Sequence, residues 1–550
     1  MTTGRLTDEE KNYYRRVEEY LGGEDLEDAE LFSRNVLQQV LKDGVKRVLC
    51  DRHGSWATEK LLVRAGLGAE DIQPLLQPVT DCFYQLATSR CGSHVAQTLL
   101  QMGARAGLEN EVLKIVDCVE AHLDEFLTHE YGSHVISIAV QVMSGLNVSE
   151  HVSRSQGSRQ NRATRLSLDE KKVLDWTEVP EAYLKKLEMI GKRVGKLSNL
   201  AKLVVNACAV PVFRVLLLSL THCIPARASR LAKKMLKLQS RGEVDLCTHV
   251  VGSHLMQTLI EVSSSDVLER VFEKLYKGHV MEYAIHPIAN YTLQQVLMSA
   301  SSKQVSEVVQ ELENLEEVFF AGHSGVVAKL LEVCVRCGEH QLSLLQNLLR
   351  CFHIESSPDK CVPLFLTLTT VEAHTAQSPP MLHGSLILQS LLKFKDPSVV
   401  VDGLLGMSSD EVVALGTDPC GSHVVEAFMN SVTVLATKKA ELVNLLKGRY
   451  ITLSKSKHGS RLVESVWRHC TVSQKEAIVS ELLASEEELS ADFYGKFVLR
   501  NVNASHFKRK QNVWQTQQEM AGKRRELFQD IIGDDSGIQE EDIPPRKKKK

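Results

Sequence analysis

Aromatic residues and proline are scarce in this chain, and neither sign of charge is in excess. Aromatic side chains make up 5% of the 550 residues, and there are 14 prolines. The chain is long for one compact core, whereas an array of helices grows by addition and tolerates few prolines. The formal net charge of −4 argues against a protein that binds nucleic acid through bulk positive charge.

Long hydrophobic runs are also missing. The first ten residues contain no apolar stretch, so no secretory signal peptide is expected. The most apolar segment, Leu203 to Leu220, is interrupted by Asn206, Pro211 and Arg214, and we interpret it as a buried helix pair. We therefore expect a soluble, intracellular protein with no membrane partner.

Signatures of catalysis and of metal binding are absent as well. There is no Walker loop, dinucleotide fingerprint or nucleophile elbow, and His129 and His134 are five residues apart where a zinc-protease helix needs four. The 13 cysteines indicate reduced thiols in an intracellular chain. Cys334 and Cys337 have metal-type spacing, but no second pair follows and the stretch is apolar, which favours core cysteines. We expect no catalytic residue, no cofactor and no metal.

What is abundant is one motif. Residues 92–97 read Gly-Ser-His-Val-Ala-Gln, and related copies recur at intervals of 36 to 40 residues, as from Ser55 to Ser93. A period in this range predicts a helical solenoid. After the glycine each copy has the pattern of an amphipathic helix, in which Val95 and Leu99 belong to the buried stripe.

The polar residues of the motif repeat with the same spacing. In most copies Ser follows the glycine, a planar side chain comes next, and Gln or Glu comes three residues later. The sixth copy has Asn290 after an alanine, and the last has Lys496 and Arg500 at the first and third of these positions. The first and third positions are four residues apart and share a helix face, which we expect to be exposed. Helix capping would explain one Gly-Ser, but not the repeated planar residue and Gln or Glu. We therefore predict a row of sites for flat ligands, and we call the residues at these three positions of one copy its trio. Its residues are Ser55, Trp56, Glu59, Ser93, His94, Gln97, Ser133, His134, Ser253, His254, Gln257, Asn290, Tyr291, Gln294, Ser385, Gln389, Ser422, His423, Glu426, Ser460, Arg461, Glu464, Lys496, Phe497 and Arg500.

Some copies are eroded. The fourth, at 209–214, has no usable trio, and the seventh, at 323–328, has nothing to stack with; Leu386 and Ser137 are poor matches in other copies. Counting these, we find about eleven copies. The predicted organisation is an acidic segment at 1–30, repeats one to three at 31–143, a polar and basic insertion at 144–168, repeats four to eleven at 169–503 with a further insertion near 354–380, and a charged tail at 504–550.

Two basic segments stand apart from the motif. The segment 225–241 has an apolar stripe and no acidic residue. We predict a track for RNA phosphates there, with a solvated basic face as the alternative. The track consists of Arg227, Arg230, Lys234, Lys237 and Arg241. At the end of the chain, Arg546, Lys547, Lys548, Lys549 and Lys550 are predicted to form a nuclear import signal, with a solubilising tail as the alternative.

The repeated trio resembles the Pumilio (PUF) repeat family. The copies Asn290-Tyr291…Gln294 and Ser460-Arg461…Glu464 match that family's motif best, and the copy number, eroded trios and basic tail are most similar to its nucleolar protein nine branch. The resemblance implies an all-α, right-handed α-solenoid of about eleven repeats, C- or U-shaped, in which each repeat presents one trio to an RNA base on a concave face.

The same resemblance implies a function. A nuclear, nucleolar protein is expected, a monomer that binds precursor ribosomal RNA and acts in small-subunit (18S) RNA processing and ribosome biogenesis by shielding a cleavage site. Proteins of the pre-ribosomal particle are candidate further partners. Two alternatives remain open: a cytoplasmic messenger-RNA regulator, and an α-solenoid scaffold that binds protein. A scaffold would let the stacking position vary freely, and in most copies it does not.

The family's code also implies a base order. Ser with Gln indicates adenine, Ser with Glu guanine, and Asn with Gln uracil. Because the family binds RNA antiparallel, the tenth copy meets the 5′ side. Going from the tenth copy to the first, the implied bases from the 5′ end are G, G, A, gap, U, A, gap, unknown, A, G. Stacking contributes about 1–3 kcal/mol per base where a side chain meets it.

Overall fold

The chain is described by a computed structural model that covers residues 5–22, 29–64, 67–146, 179–375 and 377–531. Within these ranges every regular element is a helix, which agrees with the predicted all-α fold. Contacts divide the chain into two compact units, Met1–Leu312 and Glu313–Lys550. No helix in the described ranges is long and apolar enough to cross a bilayer.

A typical repeat consists of three helices, and the third begins at the motif glycine or within two residues of it. In the second repeat these are Ala69–Asp81, Phe83–Ala87 and Gly92–Arg105. We call the third helix of each repeat the motif helix. The other helices of the first unit are Asp8–Tyr20, Ala29–Asp43, Val45–Leu49, Arg52–Arg64, Glu109–Ala121, Leu123–Phe126, Gly132–Ser144, Glu181–Lys196, Leu200–Leu203, Ala209–Cys223, Pro225–Ser240, Gly252–Glu261, Ser265–Val271 with the π-helical turn Phe272–Tyr276, Val280–Ile285, Ala289–Ser299 and Ser302–Glu311.

The second unit continues the same pattern. Its motif helices begin at Ser324, Leu382, Gly421, Lys457 and Gly495. Its helices are Leu315–Phe320, Ser324–Cys337, Gln341–Cys351, the 3₁₀ turn Pro358–Lys360, Cys361–Thr367, Leu382–Leu391, Ser398–Leu405, Ser409–Thr417, Gly421–Asn430, Ala436–Leu445, Tyr450–Ser454, Lys457–His469, Val472–Leu483, Glu486–Ala491, Gly495–Asn501, Ala504–Arg509 and Gln511–Ile531.

Each unit is built from two layers of helices. Neighbouring motif helices contact one another, as Gly132–Ser144 contacts both Gly92–Arg105 and Ala209–Cys223. The first helices of neighbouring repeats also contact one another, as Ala69–Asp81 contacts Glu109–Ala121. The apolar stripes face the space between the layers, so each repeat completes the core of its neighbours.

The predicted stripe of the motif helix is confirmed. Val95 and Leu99 are fully buried, and the equivalent apolar residues of the other copies are buried as well. Each motif helix also passes close to the short helix before it: a Cβ atom on Gly421 would lie 2.6 Å from the carbonyl oxygen of Leu415. Close approach, and not an unusual backbone angle, therefore disfavours a side chain at Gly421, whereas the fourth and sixth copies accommodate Ala209 and Ala289 at the equivalent position.

The helix cap lies outside the motif. The residue three positions before the motif glycine, or before the residue that replaces it, accepts hydrogen bonds from backbone N–H groups at the start of the helix, so the serine after the glycine is not the cap. Asp418 Oδ1, for example, accepts from the N–H groups of Cys420 (2.7 Å) and Gly421 (2.8 Å). The capping residues are Asp51, Ser89, His129, Asn206, His249, His286, Asp418, Ser456 and Asp492.

Removing one such cap has a measurable effect on stability. We expect Asp418→Ala to destabilise the ninth repeat by about 1 kcal/mol, because two N–H groups lose their acceptor. Urea denaturation followed by circular dichroism measures the change. Asp418→Asn keeps an oxygen in the same place and is expected to be nearly neutral, so an equal loss in both variants would contradict the capping role.

Helices close both ends of the array. Thr7 and Glu10 form a capping box for Asp8–Tyr20, and the Tyr14 hydroxyl donates to Asp43 Oδ2 at 2.8 Å. At the other end, where the sequence indicated only a charged tail, the fully buried Trp514 donates from Nε1 to the Val502 carbonyl at 3.1 Å. Residues 532–550, including the predicted import signal, lie outside the described residues.

The two predicted insertions differ in what the structure describes. Within 354–380, helix Cys361–Thr367 takes the place of the short second helix, and Phe365 is fully buried, so part of this segment belongs to the core. Of 144–168, Ser144 is the last residue of helix Gly132–Ser144 and is buried against Ser219. Residues 147–168 lie outside the described residues.

Candidate nucleic-acid interface

The predicted trio residues lie together in the first two turns of each motif helix, with a regular pattern of exposure. In the sixth copy Tyr291 is 57% exposed and Asn290 is 2% exposed, while Gln294 is half-buried. The same alternation occurs in the second, fifth, ninth and tenth copies. Each of these five copies therefore presents one protruding planar or charged side chain above a recessed polar pair.

The expectation that the serine lies on an exposed face is wrong. Ser93, Ser133 and Ser253 are all buried. The Ser253 hydroxyl donates to the Val250 carbonyl at 3.2 Å, and other copies repeat this bond three residues back. The side chain is short and sits in the first turn between neighbouring helices, so it forms the floor of the site, where the oxygen keeps lone pairs as acceptors.

The glutamines are held by the residue one turn earlier. Gln294 Nε2 donates to Asn290 Oδ1 at 3.1 Å, and Gln389 Nε2 donates to Ser385 Oγ at 2.9 Å. Gln97 makes the equivalent bond to the backbone carbonyl of Ser93 at 3.0 Å. These three amides are thus oriented before a ligand arrives, which lowers the entropy cost of recognising a base edge.

The glutamates present different hydrogen-bonding groups to a base than the glutamines do. Glu426 lies 3.6 Å from His423 Nδ1, and Glu464 accepts a hydrogen bond from Asn501 Nδ2. An ionised carboxylate only accepts hydrogen bonds, so these copies suit a base edge that carries donors. Asn501 was not predicted from the sequence, because it comes from the next repeat.

The first and last copies bring cations to their aromatic rings. The Lys60 ammonium lies 3.4 Å from the centre of the Trp56 ring, so that ring already carries a cation. In the last copy Lys496 and Arg500 lie 5.4 and 5.0 Å from the Phe497 ring. These pairs combine a flat surface with positive charge, which matches a base and its phosphate.

Phe493 is a candidate residue that the sequence analysis missed. It is 65% exposed, lies 6.1 Å from the Phe497 ring, and has the Lys496 ammonium 5.0 Å from its own ring centre. Its position, two residues before the motif glycine, is also exposed and apolar at Val250 and Leu382. That recurrence is the signal that could have identified it.

The two eroded copies differ from each other. In the seventh, Gly325 and Ala328 occupy the stacking and Gln/Glu positions and offer no polar group. In the fourth, Arg214 occupies the Gln/Glu position, and its Nε donates to Thr258 Oγ1 at 3.0 Å. The seventh copy is bare, whereas the fourth, expected to have no usable trio, carries an arginine.

The predicted phosphate track lies in the other layer. Its residues belong mostly to helix Pro225–Ser240, a first helix that packs against Glu181–Lys196. Arg227 departs from the prediction: it is 14% exposed and pairs with Glu188 at 2.9 Å. Lys234 donates to the Gly195 carbonyl, and Arg241 pairs with Glu243 at 3.5 Å.

The rest of that helix remains strongly basic on its surface. Arg230, Lys237 and the neighbouring Lys233 are exposed and make no ion pair with any residue that the structure describes. Because these cations belong to the layer of first helices, they do not line the row of trios. They form a separate basic face.

The predicted core cysteines lie in helix Ser324–Cys337. Burial raises the pKa of Cys334 to about 12, so its thiol stays protonated at neutral pH. Among the described residues, no three His, Cys, Asp or Glu side chains come together in a way that could hold a metal ion.

Known proteins match nearly the whole chain. The family model described as the NOP9-like PUF repeat domain matches residues 29–497. Nucleolar protein 9 of Mus musculus is 28% identical over 96% of this chain and 91% of its own length, and that of Homo sapiens is 29% identical with the same coverage. The solved structure of APUM23-GGAGUUGACGG has a TM-score of 0.76 at 22% identity and covers 94% of this chain and 100% of that one. The structure of APUM23-GGAUUUGACGG has a TM-score of 0.77 with the same identity and coverage.

Proposed function

The chain belongs to the NOP9-like PUF repeat family, and we propose that it binds precursor ribosomal RNA through its row of trios and shields a cleavage site during small-subunit RNA processing. Its membership makes it a nucleolar RNA-binding protein of ribosome biogenesis. The observation that carries the finer proposal is the repeated arrangement of a protruding planar or charged side chain above a recessed polar pair. One base fits each such site, stacked on one and hydrogen-bonded by the other.

The base order expected from the trios supports a specific target. The tenth, ninth and eighth copies indicate G, G and A, the seventh is bare, and the sixth, with Asn290 and Gln294, indicates U. The RNAs named with APUM23 are GGAGUUGACGG, GGAUUUGACGG and GGAAUUGACGG, which share GGA and the U at base five and differ only at base four. We propose that this chain binds the same 5′ element, GGA followed by any base and U.

Beyond the fifth base the two orders diverge. Ser253 and Gln257 of the fifth copy indicate adenine, whereas the RNAs named with APUM23 have uracil at base six. The shared element that we propose therefore ends at base five. The exposed cations of helix Pro225–Ser240 supply phosphate contacts to a second RNA segment outside the row. Shielding requires only that bound RNA be covered, and no chemical step by the chain is needed.

Crosslinking in cells with sequencing of the bound RNA tests this proposal. We expect reads to accumulate on precursor ribosomal RNA at sites that contain the proposed element. Reads on messenger untranslated regions would instead favour the cytoplasmic regulator. The absence of any reproducible RNA would favour the protein-binding scaffold.

The first base can be switched by one substitution. Glu464 accepts hydrogen bonds and suits the donors of guanine, whereas an amide offers one donor and one acceptor and suits adenine. We expect Glu464→Gln to change the preference at base one from guanine to adenine by about tenfold, which corresponds to about 1.4 kcal/mol. Fluorescence anisotropy with both RNAs measures the change.

The matched control is Glu441→Gln, since Glu441 is exposed and lies outside the row. It should leave the preference for guanine unchanged. If both variants, or neither, altered the preference, Glu464 would not be the group that reads base one.

A further inference from the structure

An arginine occupies the reading position of the fourth copy, where the sequence suggested only erosion. Helix Ala209–Cys223 places Val210 and Pro211 at the Ser and stacking positions, and Arg214 at the position held by Gln or Glu elsewhere. Val210 is buried and offers no hydrogen bond. Any polar recognition by this copy therefore depends on Arg214.

The guanidinium of Arg214 is fixed at one end and accessible at the other. Nε donates to Thr258 Oγ1 at 3.0 Å, and the Thr258 hydroxyl also lies 3.3 Å from the His254 carbonyl oxygen. Arg214 is half-buried, and its terminal nitrogens make no hydrogen bond to any residue in the described ranges. The guanidinium is thus oriented, while its two terminal nitrogens, which form a fork of hydrogen-bond donors, remain unused.

The stacking residue of the next copy lies beside this fork. Desolvation and the nearby charge of Arg214 both lower the pKa of His254, so the imidazole is neutral at neutral pH. Glu261 acts on Arg214 in the opposite sense to desolvation and favours its charged form. A ligand here meets a neutral flat ring and paired cationic donors, which fits a base better than a phosphate, because a phosphate has no face to stack.

We propose that Arg214 selects guanine at the base that faces the fourth copy. The O6 and N7 acceptors of guanine lie side by side and match two guanidinium donors, whereas adenine pairs N7 with a donor amino group. The inference rests on the proposed function. With the tenth copy at base one, the fourth copy meets base seven, which is G in the RNAs named with APUM23.

Binding of the full chain to a set of 11-nucleotide RNAs tests the assignment. The parent is GGAAUUGACGG, and the others carry A, C, U or 7-deazaguanine at base seven. We expect the wild type to bind the A and 7-deazaguanine versions about tenfold more weakly, because each lacks one of the two paired acceptors. Arg214→Lys keeps the charge but not the fork, so it should bind all versions alike.

A second variant separates reading from folding. Thr258→Val has nearly the same shape and keeps Arg214, but it removes the hydroxyl that orients Nε. We expect it to retain the wild-type thermal unfolding midpoint within a few degrees and to lose part of the discrimination at base seven. Gln294→Ala serves as the matched control, since it should weaken selection at base five and leave base seven unaffected.

The outcomes are distinguishable. Undiminished preference for guanine in Arg214→Lys would overturn the assignment, and so would a wild-type preference for cytosine at base seven. If the wild type bound all of these RNAs equally well, the inference would fail and the proposed function would stand. If the wild type bound none of these RNAs, both would fail.

Discussion

Replacing the protruding side chains His254, Tyr291 and Arg461 with alanine is expected to weaken binding of GGAAUUGACGG by at least about a hundredfold. In the proposed function each stacks on one base, and three contributions at the lower end of the usual range sum to about 3 kcal/mol. All three are exposed, so their removal leaves no cavity in the core. Fluorescence anisotropy at fixed salt gives the dissociation constants.

A matched variant shows whether the loss belongs to the row. Arg15→Ala with His279→Ala removes two exposed cationic or planar side chains outside it. This variant should bind RNA as the wild type does, and both should unfold at the wild-type temperature. Equal affinity in the wild type and the triple variant would refute base stacking on the motif helices.

Substitution of a motif glycine is expected to have the largest effect on stability. In Gly421→Ala the added Cβ lies 2.6 Å from the Leu415 carbonyl oxygen and 2.7 Å from Leu415 Cδ1. A backbone oxygen cannot rotate away as a side chain can, so helix Gly421–Asn430 must shift from the short helix before it. We expect a loss of about 2–3 kcal/mol, the upper part of the range for overpacked sites.

The chain offers a control with the same chemical change. Gly195 lies inside helix Glu181–Lys196, and the nearest atom to a Cβ there is Leu231 Cδ1 at 3.7 Å. Gly195→Ala should be neutral or stabilising by up to about 1 kcal/mol, because alanine favours the helix.

Hydrogen exchange locates the effect, since arrays of repeats open locally. The ninth repeat and its neighbours should lose protection in Gly421→Ala, while the first repeats keep theirs. A similar destabilisation in both variants would mean that the helical context, and not the close approach, determines the cost.

The repeat period and the buried stripe were predictable because they are local properties of the sequence. The spacing of Ser55 and Ser93 and the apolar pattern of Val95 and Leu99 need no knowledge of distant residues. The order of copies along the chain followed from the same periodicity. The all-helical repeat fold is accordingly the part that the structure confirms most directly.

Features that depend on residues far apart in sequence were not predictable. The burial of Ser93 depends on neighbouring helices, not on its own helix, and the orientation of Arg214 comes from Thr258, 44 residues later. Trp514 packs against Trp467 with 6.0 Å between ring centres, which turns part of a charged tail into a cap. A single sequence shows the period of a repeat, but not which neighbouring side chain completes each site.

The bare seventh copy limits how much information the chain reads from RNA. Gly325 and Ala328 place no demand on base four, so the proposed 5′ element fixes four bases, and such an element recurs by chance about once in 256 nucleotides. Selectivity in a cell is a ratio of bound sites to competitors, not an affinity alone. Confinement to the nucleolus removes most competing RNA. The location of the protein in the cell therefore supplies discrimination between RNAs that the trios do not encode.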